Sequence, residues 1–192
     1  LPVLIVLGQH HDCNALDKFS DMTSRTLYLL RHGAATGVVA GGDAERPLSA
    51  DGRAHVARLS RHLIDNNYGW VVALSSSALR TRMTLAGLEA VAPKCEVRID
   101  ERLYLTAPEL HLACLRELSE DVTRVLMVGH NPAMRALGLA LAMPGGKHYQ
   151  RLSRDLPAGG LLVLDVNVAT WSGLGSKSAY LTDFVTPASL VD

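Results

Sequence analysis

Short apolar runs alternate along this chain with longer segments in which apolar residues recur at helical spacing. In the first long segment, Val56, Leu59 and Leu63 are three and four residues apart, which places them on one face of a helix. The short runs have the length and composition of buried strands. Strands are predicted at residues 26–31, 70–74, 96–99, 124–128, 161–166 and 179–185, and helices between residues 49 and 66, around 80–88, at 108–118 and at 132–142.

Strands that alternate with helices predict a mostly parallel sheet covered on both faces. The last two strands are joined by a short, turn-rich segment, so we expect them to form an antiparallel ribbon at one edge. The predicted fold class is therefore α/β, a three-layer sandwich with a mostly parallel central sheet, helices on both faces and an antiparallel edge. We expect residues 22–192 to form a single domain.

Polar and helix-breaking residues mark several boundaries of these elements. Hydroxyl groups of residues 75–77 are predicted to cap the helix that carries Arg80. Asn131 is predicted to cap the helix at residues 132–142, with Pro132 at its first helical position, and residues 144–146, Pro-Gly-Gly, should end that helix. A glycine-rich, acidic loop at residues 33–48 is expected to lie over a site at the sheet edge.

The first 21 residues do not fit this alternation. Residues 1–7 are apolar but lack a basic leader, and Met22 directly precedes the first strand. We therefore hypothesise that residues 1–21 are an over-extended start or a disordered tail.

The charge balance and the cysteines restrict the class of protein. The 192 residues include 19 Lys and Arg and 19 Asp and Glu, and no basic block appears, so we expect no nucleic-acid partner. No apolar run has the length of a membrane-spanning helix, so we expect no membrane partner either. Cys13, Cys95 and Cys114 lack metal-ligand or redox spacing and are expected to be reduced thiols of a cytoplasmic protein.

Basic and imidazole side chains follow three of the predicted strands. Arg31 and His32 end the first strand, Arg80 lies just inside the helix after the second, and His130 follows the strand at residues 124–128. Open α/β sheets place their chemistry at such strand ends. Arginine, histidine and free helix amides at one edge suit a phosphoryl group.

Four segments carrying these residues resemble the histidine phosphatase superfamily, the phosphoglycerate-mutase-like fold, and within it the short phosphohistidine phosphatase branch typified by bacterial SixA. The four segments occur in the same order as in the family. Their combined match is far more specific than a match to the three-residue motif Arg-His-Gly alone. The segments are residues 30–33 (LRHG), 46–53 (RPLSADGR), 75–84 (SSSALRTRMT) and 128–132 (VGHNP).

The resemblance implies a catalytic role for each strand-end residue. His32 would be the nucleophile, which takes the phosphoryl group and then loses it to water, and a neutral imidazole nitrogen suits that task. Arg31 and Arg80 would clamp the phosphoryl oxygens, and His130 would stabilise charge in the transition state. Gly33 and Arg46 are further predicted substrate-binding residues. Because arginine and histidine replace the usual magnesium clamp, neither a metal nor another cofactor is implied.

A general acid is the part of the family pattern that matches least well. Larger members carry an acidic residue in the segment corresponding to residues 100–104, which makes Glu101 the first candidate and Glu109 the second. The short branch often lacks a clear equivalent. A phosphoramidate leaving group needs little protonation, whereas an alkoxide requires a positioned acid.

The leading hypothesis is therefore a metal-independent phosphatase of the SixA type that acts on phosphohistidine in a protein. A phosphatase for a small phosphorylated metabolite is the alternative, and a mutase is less favoured because it would require a closed, water-poor pocket. A non-catalytic module that binds phosphorylated ligands is the alternative from another class.

Overall fold

A computed structural model describes residues 24–190 of the chain. They form one six-stranded sheet whose spatial order is β3-β2-β4-β1-β5-β6. The strands are β1 (Arg25–Arg31), β2 (Val72–Ser75), β3 (Glu96–Ile99), β4 (Arg124–Gly129), β5 (Leu161–Val166) and β6 (Ala179–Val185). The helices are α1 (Ala50–Asp65), α2 (Leu79–Ala86), α3 (Pro108–Arg116), α4 (Ala133–Leu141) and α5 (Gly146–Arg154).

The pairing of the strands confirms the predicted mixed sheet. β1 and β2 each run parallel to β4, and β2 also runs parallel to β3. β5 is antiparallel to both β1 and β6, which forms the predicted antiparallel ribbon. The carboxyl ends of β2, β4 and β1 are therefore neighbours at one edge of the sheet.

Two apolar clusters pack on opposite faces of this sheet. Leu27 and Leu29 of β1 belong to the cluster covered by α3, α4 and α5, whereas Tyr28 and Leu30 belong to the one covered by α1 and α2. Alternation of side chains along a strand explains why one strand serves both clusters. The result is the predicted three-layer α/β sandwich. None of the helices within residues 24–190 has the length and apolar character needed to cross a membrane.

The start of α1 holds the beginning of the glycine-rich loop in place. Ser49 is the N-cap, and its Oγ accepts a hydrogen bond from the Gly52 amide at 3.0 Å, as its sequence position predicts. A Cβ at Gly52 would lie 2.0 Å from the carbonyl oxygen of Ala34. Only glycine therefore allows this close approach of loop and helix.

Two predicted helix caps were wrong, and one helix was missed. α2 has Ala78 as its N-cap with no side-chain hydrogen bond, because Ser76 and Ser77 bind other partners. α4 begins at Ala133 without a cap from Asn131, because Nδ2 of Asn131 donates to the Leu156 carbonyl and its Oδ1, the atom that would accept from a helix amide, has no hydrogen-bond partner within residues 24–190. α4 ends at Leu141, before residues 144–146, and Gly146 begins α5. Leu152 is the single buried residue of α5, so its apolar signal was too weak to predict a helix.

The hypothesis about residues 1–21, and with it the domain boundary at residue 22, lies outside the described residues.

Candidate active site

His32 follows β1 directly, and its surroundings fix which ring nitrogen carries the proton. Its backbone amide donates to the carbonyl of Gly129 at 3.1 Å, which ties the end of β1 to the end of β4. The ring Nε2 lies 3.3 Å from Nε of Arg80, and Nδ1 lies 2.7 Å from the carbonyl oxygen of Gly33. A guanidinium can only donate, so Nε2 accepts and Nδ1 bears the proton. The Nε2 lone pair therefore faces the sheet edge.

His130 follows β4 and has the opposite tautomer by the same argument. Its Nδ1 lies 3.2 Å from Nη2 of Arg80, and its Nε2 lies 2.9 Å from Oγ of Ser76. Nδ1 must accept from the guanidinium, so Nε2 carries the proton and donates to Ser76. The ring centroids of His32 and His130 are 5.0 Å apart. Arg80, 3 % exposed, thus bridges two imidazole lone pairs.

Both histidines are neutral at pH 7. Burial is the main cause that lowers the pKa of His32 to about 4, and the charges of Arg80 and Arg31 act in the same direction, while the hydrogen bond to Gly33 opposes them. Burial also lowers the pKa of His130 to about 3, with His32 and Arg80 acting in the same direction. Each neutral ring therefore has one lone pair, which accepts from Arg80.

Arg31 lies at the same sheet edge and holds an unused donor. Its Nη1 donates to the Leu156 carbonyl at 2.7 Å, while its Nε is buried without a hydrogen-bond partner. Burial lowers the pKa of Arg31, yet a guanidinium remains charged at neutral pH. A buried N–H without an acceptor is costly, so this group is suited to receive an anionic oxygen.

Asp43, which was not among the predicted site residues, lies against Arg80. Its carbonyl and its Oδ2 accept from Nη1 and Nη2 of Arg80 at 2.6 and 2.9 Å. Its Oδ1 accepts from Arg46 at 2.8 Å, and Tyr104 donates its hydroxyl to Oδ2 at 2.9 Å. The hydrogen bond from Arg46, followed by those from Tyr104 and Arg80, holds the pKa of Asp43 well below its usual range. The carboxylate is therefore ionised.

The two other predicted substrate-binding residues make contacts within the protein. Arg46 donates from Nε to the Thr36 carbonyl at 2.7 Å in addition to its pair with Asp43. The Gly33 amide donates to Oγ1 of Thr84 at 3.0 Å. Both residues thus shape the loop after β1, and each has its main donor occupied.

The two candidate acids have other surroundings than the histidines' hydrogen-bond network. Oε2 of Glu101 accepts from Oγ of Ser77 at 2.7 Å, and Glu109 is exposed in the first turn of α3. Within residues 24–190, neither carboxylate forms a hydrogen bond with His32 or His130. The same part of the chain contains no group of three or more His, Cys, Asp or Glu side chains arranged to hold a metal ion.

Ser76, Asp43 and Tyr104 are the site residues that the sequence did not indicate. The ring of Tyr104 meets that of His130 edge-on at 5.5 Å between centroids. Ser76 lies inside one of the four segments that suggested the family, but its hydroxyl was interpreted as a cap. Asp43 precedes Arg46 by three residues in an acidic loop, and that spacing alone was its only signal.

Comparisons with known proteins identify a family and similar folds. The histidine phosphatase superfamily (branch 1) matches residues 27–104. A protein of unassigned function from Mycobacterium tuberculosis (strain ATCC 25618 / H37Rv) is 32% identical over 148 residues, which cover 76% of this chain and 91% of that protein.

Two solved structures, each described as a "putative phosphohistidine phosphatase SixA", are similar to this fold. The protein from Nakamurella multipartitia has a TM-score of 0.75 and 31% identity, with 85% of this chain and 96% of that chain covered. The protein from Agrobacterium tumefaciens has a TM-score of 0.72 and 28% identity, with 85% and 98% covered. These similarities support the prediction that the chain is a phosphatase. The chain belongs to the histidine phosphatase superfamily.

Proposed function

We propose that this protein is a metal-independent phosphatase of the SixA type, which removes the phosphoryl group from phosphohistidine in a protein through a covalent intermediate on His32. One observation carries the proposal. The Nε2 lone pair of His32 and the Nδ1 lone pair of His130 face the same guanidinium, that of Arg80, at 3.3 and 3.2 Å. A nucleophile, a cation and a second imidazole therefore meet within the space of one phosphate ion.

In the first step, Nε2 of His32 attacks the phosphorus. The bond from phosphorus to Nε2 forms while the bond from phosphorus to the substrate nitrogen breaks, and the electron pair leaves with the substrate ring, which carries a proton on its other nitrogen and so departs as neutral imidazole. Arg80 and the unpartnered Nε of Arg31 would bind the equatorial oxygens, on which negative charge is spread. The hydrogen bond from Nδ1 to the Gly33 carbonyl supports the positive charge that the ring acquires.

In the second step, water replaces His32 on phosphorus. The bond from phosphorus to the water oxygen forms, the bond to Nε2 breaks, and the electron pair returns to Nε2. The water protons pass to orthophosphate and solvent. Because the pKa of His32 lies near 4, the ring is restored in its neutral form at pH 7.

The position of the carboxylates favours a phosphoramidate substrate over an ester. Asp43 is ionised and paired with arginines, so it is a poor proton donor. Glu101 accepts a hydrogen bond from Ser77 and forms none with either histidine. An alkoxide leaving group would need a positioned acid, whereas an imidazole leaves with little help. The similarity to the SixA structures favours the same substrate class.

Trapping the intermediate tests this proposal. The protein is mixed with radiolabelled phosphoramidate or a phosphohistidine peptide in the presence of a chelator and quenched within milliseconds to seconds. We expect acid-labile label on His32, and its loss in His32→Ala. Normal product formation by His32→Ala would reject the covalent mechanism, and loss of turnover in the chelator would reject metal independence.

A substrate panel separates the alternatives. Preferred hydrolysis of sugar phosphates or other monoesters would indicate a metabolite phosphatase. Transfer of label to an added sugar acid in preference to water would indicate a mutase. Binding of phosphate by calorimetry without turnover of any substrate would indicate a binding module.

A further inference from the structure

We propose that Asp43 is a positioning residue that holds the guanidinium of Arg80 in the orientation needed to bind the phosphoryl group. This inference rests on the proposed function and extends it to a residue outside the predicted site. The Arg80 guanidinium has two edges with different partners: one edge faces the two histidines, and the other faces Asp43.

One edge of the Arg80 guanidinium faces the histidines. Nε donates toward Nε2 of His32 at 3.3 Å, and Nη2 donates toward Nδ1 of His130 at 3.2 Å. Nε and one Nη form a parallel pair of N–H donors that matches two oxygens of a phosphoryl group. Nε and Nη2 of Arg80 therefore face the place where a phosphoryl group would meet Nε2 of His32.

Asp43 holds the other edge. Nη1 donates to its backbone carbonyl at 2.6 Å, and Nη2 donates to its Oδ2 at 2.9 Å. Nη2 has two hydrogens, so it can serve His130 with one and Asp43 with the other. The contacts with Asp43 thus leave the histidine-facing edge for substrate.

The distances indicate which contacts a substrate would replace. The hydrogen bonds to the imidazoles, at 3.3 and 3.2 Å, are longer than those to Asp43, at 2.6 and 2.9 Å. The contact with Oδ2 of Asp43 joins two charged groups, whereas both imidazoles are neutral acceptors, so the attachment to Asp43 is the stronger one. A phosphoryl group would therefore displace the long contacts and leave the pair between Asp43 and Arg80 intact.

Asp43 is itself fixed from two further sides. Oδ1 accepts from Arg46, whose Nε is bound to the Thr36 carbonyl, and Oδ2 also accepts from the hydroxyl of Tyr104. The carboxylate thus joins the loop after β1 to the segment after β3. Asp43 is 44 % exposed in its side chain, so its bonds contribute little to global stability and their main effect is local.

Replacing the carboxylate by an amide tests the proposal with little change in shape. In Asp43→Asn, the backbone carbonyl still accepts from Nη1 of Arg80, but only one side-chain oxygen remains for Nη2 of Arg80 and for Arg46, and the new NH₂ faces a cation. We expect kcat/KM with phosphoramidate to fall about tenfold to a hundredfold, mainly through kcat, because misplaced N–H donors of Arg80 stabilise the transition state less well. Orthovanadate, measured by calorimetry, should bind about tenfold more weakly, and Asp43→Glu should recover part of both losses.

A double-mutant cycle tests whether Asp43 acts through Arg80. In an Arg80→Ala background, Asp43→Asn should change orthovanadate affinity less than twofold, because the group that it positions is gone. Glu96→Gln is the matched control, since it breaks another exposed pair of arginine and carboxylate, with Arg98, on the edge strand β3. It should leave turnover unchanged.

The outcomes separate this inference from the proposed function. Wild-type kinetics and orthovanadate affinity in a folded Asp43→Asn would overturn the positioning role. An equal loss of affinity in the wild-type and Arg80→Ala backgrounds would also overturn it, because Asp43 would then act independently. Wild-type turnover by Arg80→Ala would instead reject the site on which the proposed function depends. Thermal unfolding of each variant checks that it is folded.

Discussion

The Oγ atom of Ser76 lies 2.9 Å from Nε2 of His130, and both residues are buried. This hydrogen bond ties the end of β2 to the end of β4 and holds the ring of His130 in the orientation in which its Nδ1 lone pair faces Arg80. The orientation of His130 thus depends on a residue that touches neither Arg80 nor His32 through its side chain.

Ser76→Ala should therefore reduce turnover more than stability. Without an acceptor for Nε2–H, the ring of His130 can rotate or change tautomer, and we expect kcat to fall about tenfold. The loss of one buried hydrogen bond should cost about 1 kcal/mol. Ser75→Ala is the control, because Ser75 is equally buried but donates to the Ser76 carbonyl. Equal kinetic effects in the two variants, alongside equal losses in unfolding free energy, would contradict a role for this contact.

Arg80→Lys should abolish most activity even though the charge is kept. A lysine ammonium is a point charge and cannot serve both imidazoles and Asp43 from two edges. We expect kcat with phosphoramidate to fall about a hundredfold to a thousandfold. Arg82→Lys, an exposed position two residues farther along α2, should stay within twofold of wild type. Comparable losses in both variants would show that the guanidinium geometry of Arg80 has no special role.

The protein should become less stable as the pH falls from about 6.5 toward 4. The pKa of His32 is lowered to about 4 in the folded chain, whereas an unfolded histidine titrates near 6.5. Between these values the unfolded chain binds a proton that the folded chain does not, so the free energy of unfolding decreases as the pH falls. Urea midpoints measured from pH 7 to pH 4 should fall, and His32→Asn should make the decrease shallower. The same slope in both proteins would contradict the lowered pKa.

Glu101→Gln should leave phosphoramidate hydrolysis within twofold of wild type. The carboxylate accepts from Ser77 and has no hydrogen bond to either histidine, and an imidazole leaving group needs little protonation. Glu109→Gln should behave in the same way, since Glu109 is exposed on α3. A large loss with an alkyl phosphate but not with phosphoramidate would identify the substituted residue as an acid for ester substrates.

Gly52→Ala should destabilise the protein through the loop that carries Asp43. The added Cβ would lie 2.0 Å from the Ala34 carbonyl oxygen, so the loop or α1 must shift. Overpacking of this kind costs about 1–3 kcal/mol, more than the gain from alanine in a helix. Gly37→Ala, whose Cβ would have no neighbour within 4 Å, is the control and should unfold at the wild-type temperature. If Gly52→Ala is as stable as the wild type, the loop at Ala34 and the start of α1 do not pack too closely for a Cβ.

The order of the elements and the position of the main residues could be predicted from local pattern. Apolar runs located all six strands, and Ser49 located the start of α1, because burial and capping are local requirements. α5 was missed because it buries only Leu152. The caps at residues 75–77 and at Asn131 were wrong because those polar groups found partners in distant segments, His130 and Leu156 among them.

The sequence by itself determined the alternating α/β pattern and the residues that follow the strands, including His32, Arg80 and His130, since both depend on neighbours along the chain. Only the tertiary structure decided that Asp43 binds Arg80 and that Ser76 binds His130. It also decided that Glu101 accepts a hydrogen bond from Ser77. Asp43 is separated from Arg80 by 37 positions and Ser76 from His130 by 54. Hydrogen bonds over such separations depend on how strands and loops come together in space, which no local periodicity or motif records.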